Sequence, residues 1–150
     1  MQITIASILL RRNSLSQESE SLLQSYLKRS SRYATTSHRV FPTELALLAF
    51  LAGTANRTRP YLLLTDSTGQ QVTSTELATH VSQLFDSGQQ TLVLAIGPAD
   101  GWSADARQRA DKTIAFGKIT LPHELAAVVA AEQLYRALTI RAGHPYHSGH

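Results

Sequence analysis

No cysteine occurs among the 150 residues, so disulfides, thiolate nucleophiles and cysteine-ligated zinc or iron–sulfur centres are excluded. Long apolar runs are missing too: no segment approaches the roughly 20 residues a helix needs to span a bilayer. The opening MQITIASILLRRNS puts its short apolar stretch before its arginines, the reverse of a signal peptide, and has no small-residue cleavage site. It reads as the first β-strand of a cytoplasmic protein with no membrane partner. Internal repeats, linkers and low-complexity tracts are also absent, which predicts a single domain over residues 1–150. Apolar content of 43% against 17% charged residues is that of a chain with a buried core.

Acidic residues are scarce at the N-terminal end. Residues 1–60 hold Glu18, Glu20 and Glu44 against Arg11, Arg12, Lys28, Arg29, Arg32, Arg39, Arg57 and Arg59. A surface of that sign suits a polyanion, although solvated arginines explain it equally well. The net charge of +3 does not by itself name a nucleic acid.

What is present is an alternation of strands and helices. Ile3–Leu9 alternates as a strand, and 14–33 reads as a helix capped by Ser14 or Ser16, with Leu15, Leu22, Leu23, Tyr26 and Leu27 as its apolar stripe. A strand follows at 37–41, then a helix at 43–53 with Thr43 and Gly53 at its ends. The run RPYLLLTD has buried-strand length, and STGQQV after it reads as a turn around Gly69. Ser74 or Thr75 starts the next helix, which Gly88 ends. Residues 90–96 run as a strand into GPADG, followed by a helix over 103–114 capped by Ser103. FGKITLPH reads as a short strand with a turn, and 124–143 as a long helix with Leu125, Val128, Val129, Leu134 and Leu138 in the core. The order predicts an α/β fold with a mostly parallel sheet and helices on both faces.

Two stretches carry candidate chemistry. The loop Gly97–Gly101 leaves a strand and enters a helix, the place where open α/β sheets bind ligands, but it matches neither dinucleotide nor phosphate-loop patterns. Read alone it is a turn, with Asp100 either turn-forming or a contact for a cationic ligand. Leu121, Pro122 and His123 form a stiff segment before the last helix, suited to holding a backbone edge against a purine. The end GHPYH offers His144, Tyr146 and His147. His144 and His147 have zinc-compatible spacing, yet no further ligands stand beside them, so no metal is expected. Tyr146 suits stacking on an unpaired base, or covering the core. Glu132 and Arg136 are spaced to pair across one helical turn.

LPHELAAVVAAEQLYRALTIRAGHPYH resembles the C-terminal signature of the ribosomal RNA large subunit methyltransferase H family, the pseudouridine N3-methyltransferases. LLLTDSTGQQVTSTELA and LAIGPADGWS resemble the family's strand–Leu-Asp-x-x-Gly-Lys segment and glycine loop. The resemblance covers nearly the whole chain and is loosest over residues 1–60. It implies a SPOUT-type α/β domain with a C-terminal trefoil knot, working as a homodimer on large-subunit ribosomal RNA. It also implies S-adenosylmethionine held by Leu64 and Thr65, by Gly97, Pro98, Ala99 and Gly101, and by Phe116, Ile119, Leu121 and His123. The tail of one subunit would then reach the partner's cofactor pocket, with His144, Tyr146, His147 and Asp100 as catalytic candidates. Arg11, Arg12, Arg136 and Arg141 are the candidates for RNA phosphate, Arg136 and Arg141 alternatively for bracing the tail. Three positions depart from the family pattern: Pro98 replaces the second glycine, Gln70 a lysine, and Ala126 and Ala127 stand where an arginine is common. IGPADGWS also resembles the IGPEGGFS loop of small-subunit uridine N3-methyltransferases, which carry an added N-terminal domain. A knotted methyltransferase for another ribosomal uridine and a catalytically quiet RNA-binding dimer are the competing readings.

Overall fold

The structure, a computed structural model, describes residues 1–10, 12–53 and 58–148. Its strands are β1 (Gln2–Ile8), β2 (Thr35–Phe41), β3 (Tyr61–Gln71), β4 (Thr91–Ile96) and β5 (Lys112–Ala115). They form one parallel sheet in the order β2-β1-β4-β3-β5. The helices are α1 (Gln17–Ser30), α2 (Glu44–Gly53), α3 (Ser74–Asp86), α4 (Ala104–Arg109) and α5 (His123–Ala142), followed by a 3₁₀ turn at Pro145–His147.

Strand periodicity divides the apolar residues between two layers. In β4, Leu92, Leu94 and Ile96 join Ile3, Ile5 and Leu63 beneath α1, α3 and α5. Val93 and Ala95 face the other way and pack with Leu62, Leu64, Trp102 and Ala106 beneath α2 and α4. Small residues bring α5 close to the sheet: Ala127, Ala130, Ala131 and Ala137 are essentially inaccessible to solvent. Both faces of the sheet are thus covered, as the near-continuous apolar strands require.

Five local expectations are corrected. The helix expected over 103–114 stops at Arg109, because Ala110 is extended and the residues after it join the sheet. Asp111 makes that junction: its amide donates to the Leu62 carbonyl, its carboxylate accepts from the Leu62 amide at 2.8 Å, and Arg59 and Arg109 neutralise it. FGKITLPH is not a strand but a loop leading to Pro122, the cap of α5. The turn expected around Gly69 is instead the last part of β3, whose register against β5 shifts between Thr65 and Gln70. A Cβ on Gly69 would lie 2.6 Å from the Ile114 carbonyl carbon, so glycine there serves a close backbone approach. Helix α3 is capped by Thr73 in a capping box with Glu76, not by Ser74 or Thr75. Leu125, expected in the core, and Leu22, expected on the apolar stripe of α1, are each 48% exposed.

A polar cluster lies under α1. His38 of β2 places Nε2 2.9 Å from Ser7 Oγ and Nδ1 3.6 Å from Glu20 Oε1, with its side chain 3% exposed. Burial lowers its pKa below 6.5, although Glu20 pulls the other way. A depressed folded-state value means that the neutral ring contributes fully above about pH 6.5 and that this stability is lost as pH falls toward the folded-state value. The melting temperature is expected to drop between about pH 7 and pH 5, and to drop less in His38→Gln. Equal slopes in both proteins would remove His38 as the cause.

Candidate functional site

Because β4 and β5 both pair with β3, the loops after β4 and β5 meet the middle of β3. Thr65–Thr68, Gly97–Trp102 and the stretch from Phe116 to His123 wall a cleft of about 440 Å³. That volume lies within the roughly 300–1,000 Å³ range of small-molecule sites. The cleft also sits where open α/β sheets bind ligands, beyond the carboxyl ends of β4 and β5.

The wall made by the β4 loop is built around the chain's one tryptophan. Trp102 is 6% exposed and donates its indole N–H to the Thr65 carbonyl at 2.9 Å, tying the loop to β3. A Cβ on Gly97 would lie 2.7 Å from that indole nitrogen. Glycine at 97 therefore makes room for Trp102. Gly101 closes the loop as a tight turn, its amide donating to the Pro98 carbonyl at 3.0 Å, with a φ of 89° that favours glycine.

The opposite wall is fixed by charge. The Asp66 carboxylate accepts from the amide and hydroxyl of Thr68 at 2.9 and 2.8 Å and pairs with Arg107 at 2.6 Å. Burial alone would raise the pKa of Asp66, but the Thr68 bonds and the Arg107 guanidinium together hold it below the usual value. Arg107 also donates to the Trp102 carbonyl and to the Thr68 hydroxyl, so one guanidinium clamps both walls. The two carboxylates among the described lining residues are thus unlike: Asp66 is held by Thr68 and Arg107, whereas Asp100 is exposed on the loop.

Of the residues singled out in the sequence, Thr65, Gly97, Pro98, Ala99, Asp100, Gly101, Phe116, Ile119, Leu121 and His123 all line this one cleft. Leu64 does not: it is fully buried beside Val93 and Trp102 in the layer under α2. Asp66, Thr68, Trp102 and Arg107 escaped the sequence reading. The pairing of Asp66 with Arg107 joins positions far apart in the chain, and no local pattern marks it. Gln70, at the family's lysine position, accepts from Lys112 Nζ at 3.1 Å, so β5 supplies a cation there.

The tail folds back on its own last helix. Gly143 ends α5 in the left-handed region, with φ 73°, and His144 caps the 3₁₀ turn. Tyr146 donates its hydroxyl to Glu132 Oε1 at 3.0 Å and packs edge-on against Tyr135, with ring centroids 4.6 Å apart. Arg136 binds Glu132 at 2.6 Å and His147 Nδ1 at 3.1 Å, and Arg29 lies over the rings of Tyr26, Tyr135 and Tyr146. His144, Tyr146 and His147 are absent from the lining of the cleft in their own chain. The cations proposed for RNA are dispersed: Arg12 pairs with Glu124, Arg141 with Asp86, and Arg136 braces the tail. Arg11 lies outside the described residues.

Fold and cleft together define an α/β domain that builds a ligand site from the middle of β3 and the two loops that follow β4 and β5. A family model described as "Predicted SPOUT methyltransferase" matches residues 1–147. Ribosomal RNA large subunit methyltransferase H of Koribacter versatilis is 49% identical over 131 residues, covering 87% of this chain and 89% of that protein. The protein of the same name from Mesorhizobium japonicum is 49% identical over 86 residues, which cover 57% of this chain and 54% of that one. Among solved structures, a probable methylase family protein from Haemophilus influenzae shares the fold with a TM-score of 0.56 at 11% identity, covering 98% of this chain and 70% of that one. The chain belongs to the SPOUT methyltransferase family and, within it, to the ribosomal RNA large subunit methyltransferase H family.

Proposed function

We propose that the protein methylates N3 of a pseudouridine in large-subunit ribosomal RNA, with S-adenosylmethionine as donor. The observation that carries this is the convergence of Thr65–Thr68, Gly97–Trp102 and Phe116–His123 on one cleft. The residues present fit the donor. Ile96, Phe116, Ile119 and Leu121 supply apolar wall for a purine, and the hydroxyls of Thr65, Ser67 and Thr68 suit a polar end. When bound, the donor supplies a methyl group already activated on a sulfonium. The protein's part is then to align that group with the base nitrogen and to exclude water.

Family membership supports the rest of the assignment: a trefoil knot formed by the C-terminal part, a homodimer, and a cytoplasmic site of action. The position of the tail, apart from the cleft of its own chain, supports a site completed by a second subunit. In such a dimer His144, Tyr146 and His147 would meet the base over the partner's donor, and Arg12 and Arg141 would contact RNA phosphate.

Trp102 lines the cleft and is the single tryptophan, so its fluorescence should change in a saturable way as the donor is added. With large ribosomal subunits present, nucleoside mass spectrometry should then find N3-methylpseudouridine. No fluorescence or calorimetric response at about millimolar donor would favour a quiet RNA-binding dimer. Methylation of a different uridine would keep the class and correct the substrate.

A further inference from the structure

The tail holds three side chains with the chemistry of a proton acceptor, and their hydrogen bonds decide which atoms remain for a substrate. A guanidinium has donors only, so the 3.1 Å contact between Arg136 Nη1 and His147 Nδ1 makes that nitrogen an acceptor. The neutral ring then carries its proton on Nε2. The Tyr146 amide donates to His144 Nδ1 at 3.2 Å, imposing the same tautomer on the second ring. Tyr146 gives its own phenolic proton to Glu132. Burial, followed by that hydrogen bond, pushes its pKa up to about 12, so it stays a phenol at neutral pH. Glu132 is in turn held by Arg136 through both Nε and Nη2, at 3.1 and 2.6 Å.

We propose that His144 and His147 meet the substrate as Nε2–H donors to an oxygen acceptor, and that no side chain of the tail removes the substrate's proton. The acceptor class is the pair of carbonyl oxygens flanking an imide nitrogen. As that nitrogen loses its proton, charge spreads onto both oxygens, and two aimed N–H groups stabilise the anion that attacks. The proton itself passes to another acceptor, and Asp100 is the cleft carboxylate not already held by Thr68 and Arg107. The inference rests on the reading that the tail meets the base, and its test separates the two.

Nitrogen-15 spectra of the full-length protein at neutral pH report each tautomer directly, with His144 and His147 assigned through single substitutions among the six histidines. The expected result is an unprotonated Nδ1 and a protonated Nε2 in both rings. The opposite tautomer, or a rapidly averaged signal, overturns the proposal. In the methylation assay, His147→Gln keeps an N–H near the ε position and should lie within about tenfold of the parent, while His147→Ala should fall further. A base at this position predicts instead that glutamine is as inactive as alanine, a loss of roughly 10²–10⁴-fold, and that result also overturns it. If the tautomers are as expected and the unaltered protein methylates no RNA, the proposed function fails and the donor geometry of the tail stands.

Discussion

Replacing Gly97 by valine is expected to reduce affinity for the methyl donor at least about a hundredfold and to lower the unfolding free energy by roughly 1–3 kcal/mol. From the sequence alone, a bulky residue in this loop should abolish binding and leave the fold untouched. The structure adds the second effect. Any Cβ at 97 lies within 3 Å of the Trp102 indole, which is buried and bonded to the Thr65 carbonyl. The indole has to move, that carbonyl loses its partner, and the walls that Trp102 and Arg107 hold together separate. Calorimetry with the donor and thermal melts measure the two effects independently. Combining Gly97→Ala with Trp102→Phe removes the indole nitrogen from the clash, so part of the stability should return, and more than the single effects sum to. Unaltered donor affinity in Gly97→Val would sink the assignment of this loop.

Deleting residues 144–150 should leave a folded, dimeric protein that binds the donor and methylates ribosomal RNA at least about a hundredfold more slowly, as loss of aimed hydrogen-bond donors predicts. Stability should fall by roughly 1–2 kcal/mol, since Glu132 loses the Tyr146 hydroxyl and Tyr135 loses its edge-on partner. The core of α5 lies N-terminal to the cut and does not depend on the tail. Mixing the tail-less chain with Gly97→Ala, once circular dichroism shows that variant folded, gives the more demanding test. After random exchange of equal amounts, mixed dimers each hold one complete site, and activity should recover to about a quarter of the parent. Exchange without recovery would mean that the tail does not serve the partner's cleft.

The order of strands and helices was legible because it depends on local pattern. Apolar runs at 61–65 and 91–96 mark buried strands, serines and threonines at helix starts cap, and Gly143 stops α5 where the pattern ends. The cleft wall at 97–102 was legible for the same reason, since it follows the apolar strand β4, whereas 116–123 was not, because KTIA reads as helix. Where a residue's role depends on a neighbour distant in sequence, the reading failed. The family resemblance put Leu64 in the cleft wall with Thr65, yet alternation along β3 turns its side chain into the layer under α2.

The sequence by itself thus determined an α/β chain and marked loop 97–101, the segment before α5 and the tail as candidates for its chemistry. Tertiary structure alone decided that KTIA is a strand, since four residues without clear periodicity become one only by pairing with β3. It decided that Gly97 faces an indole, that Asp66 meets Arg107, and that the tail lies on Glu132 and Arg136. Propensity and periodicity act over a few residues and can be read along the chain. Contacts between Asp66 and Arg107, or between Ile114 and Gly69, exist only after the sheet has brought remote segments to within a few ångströms.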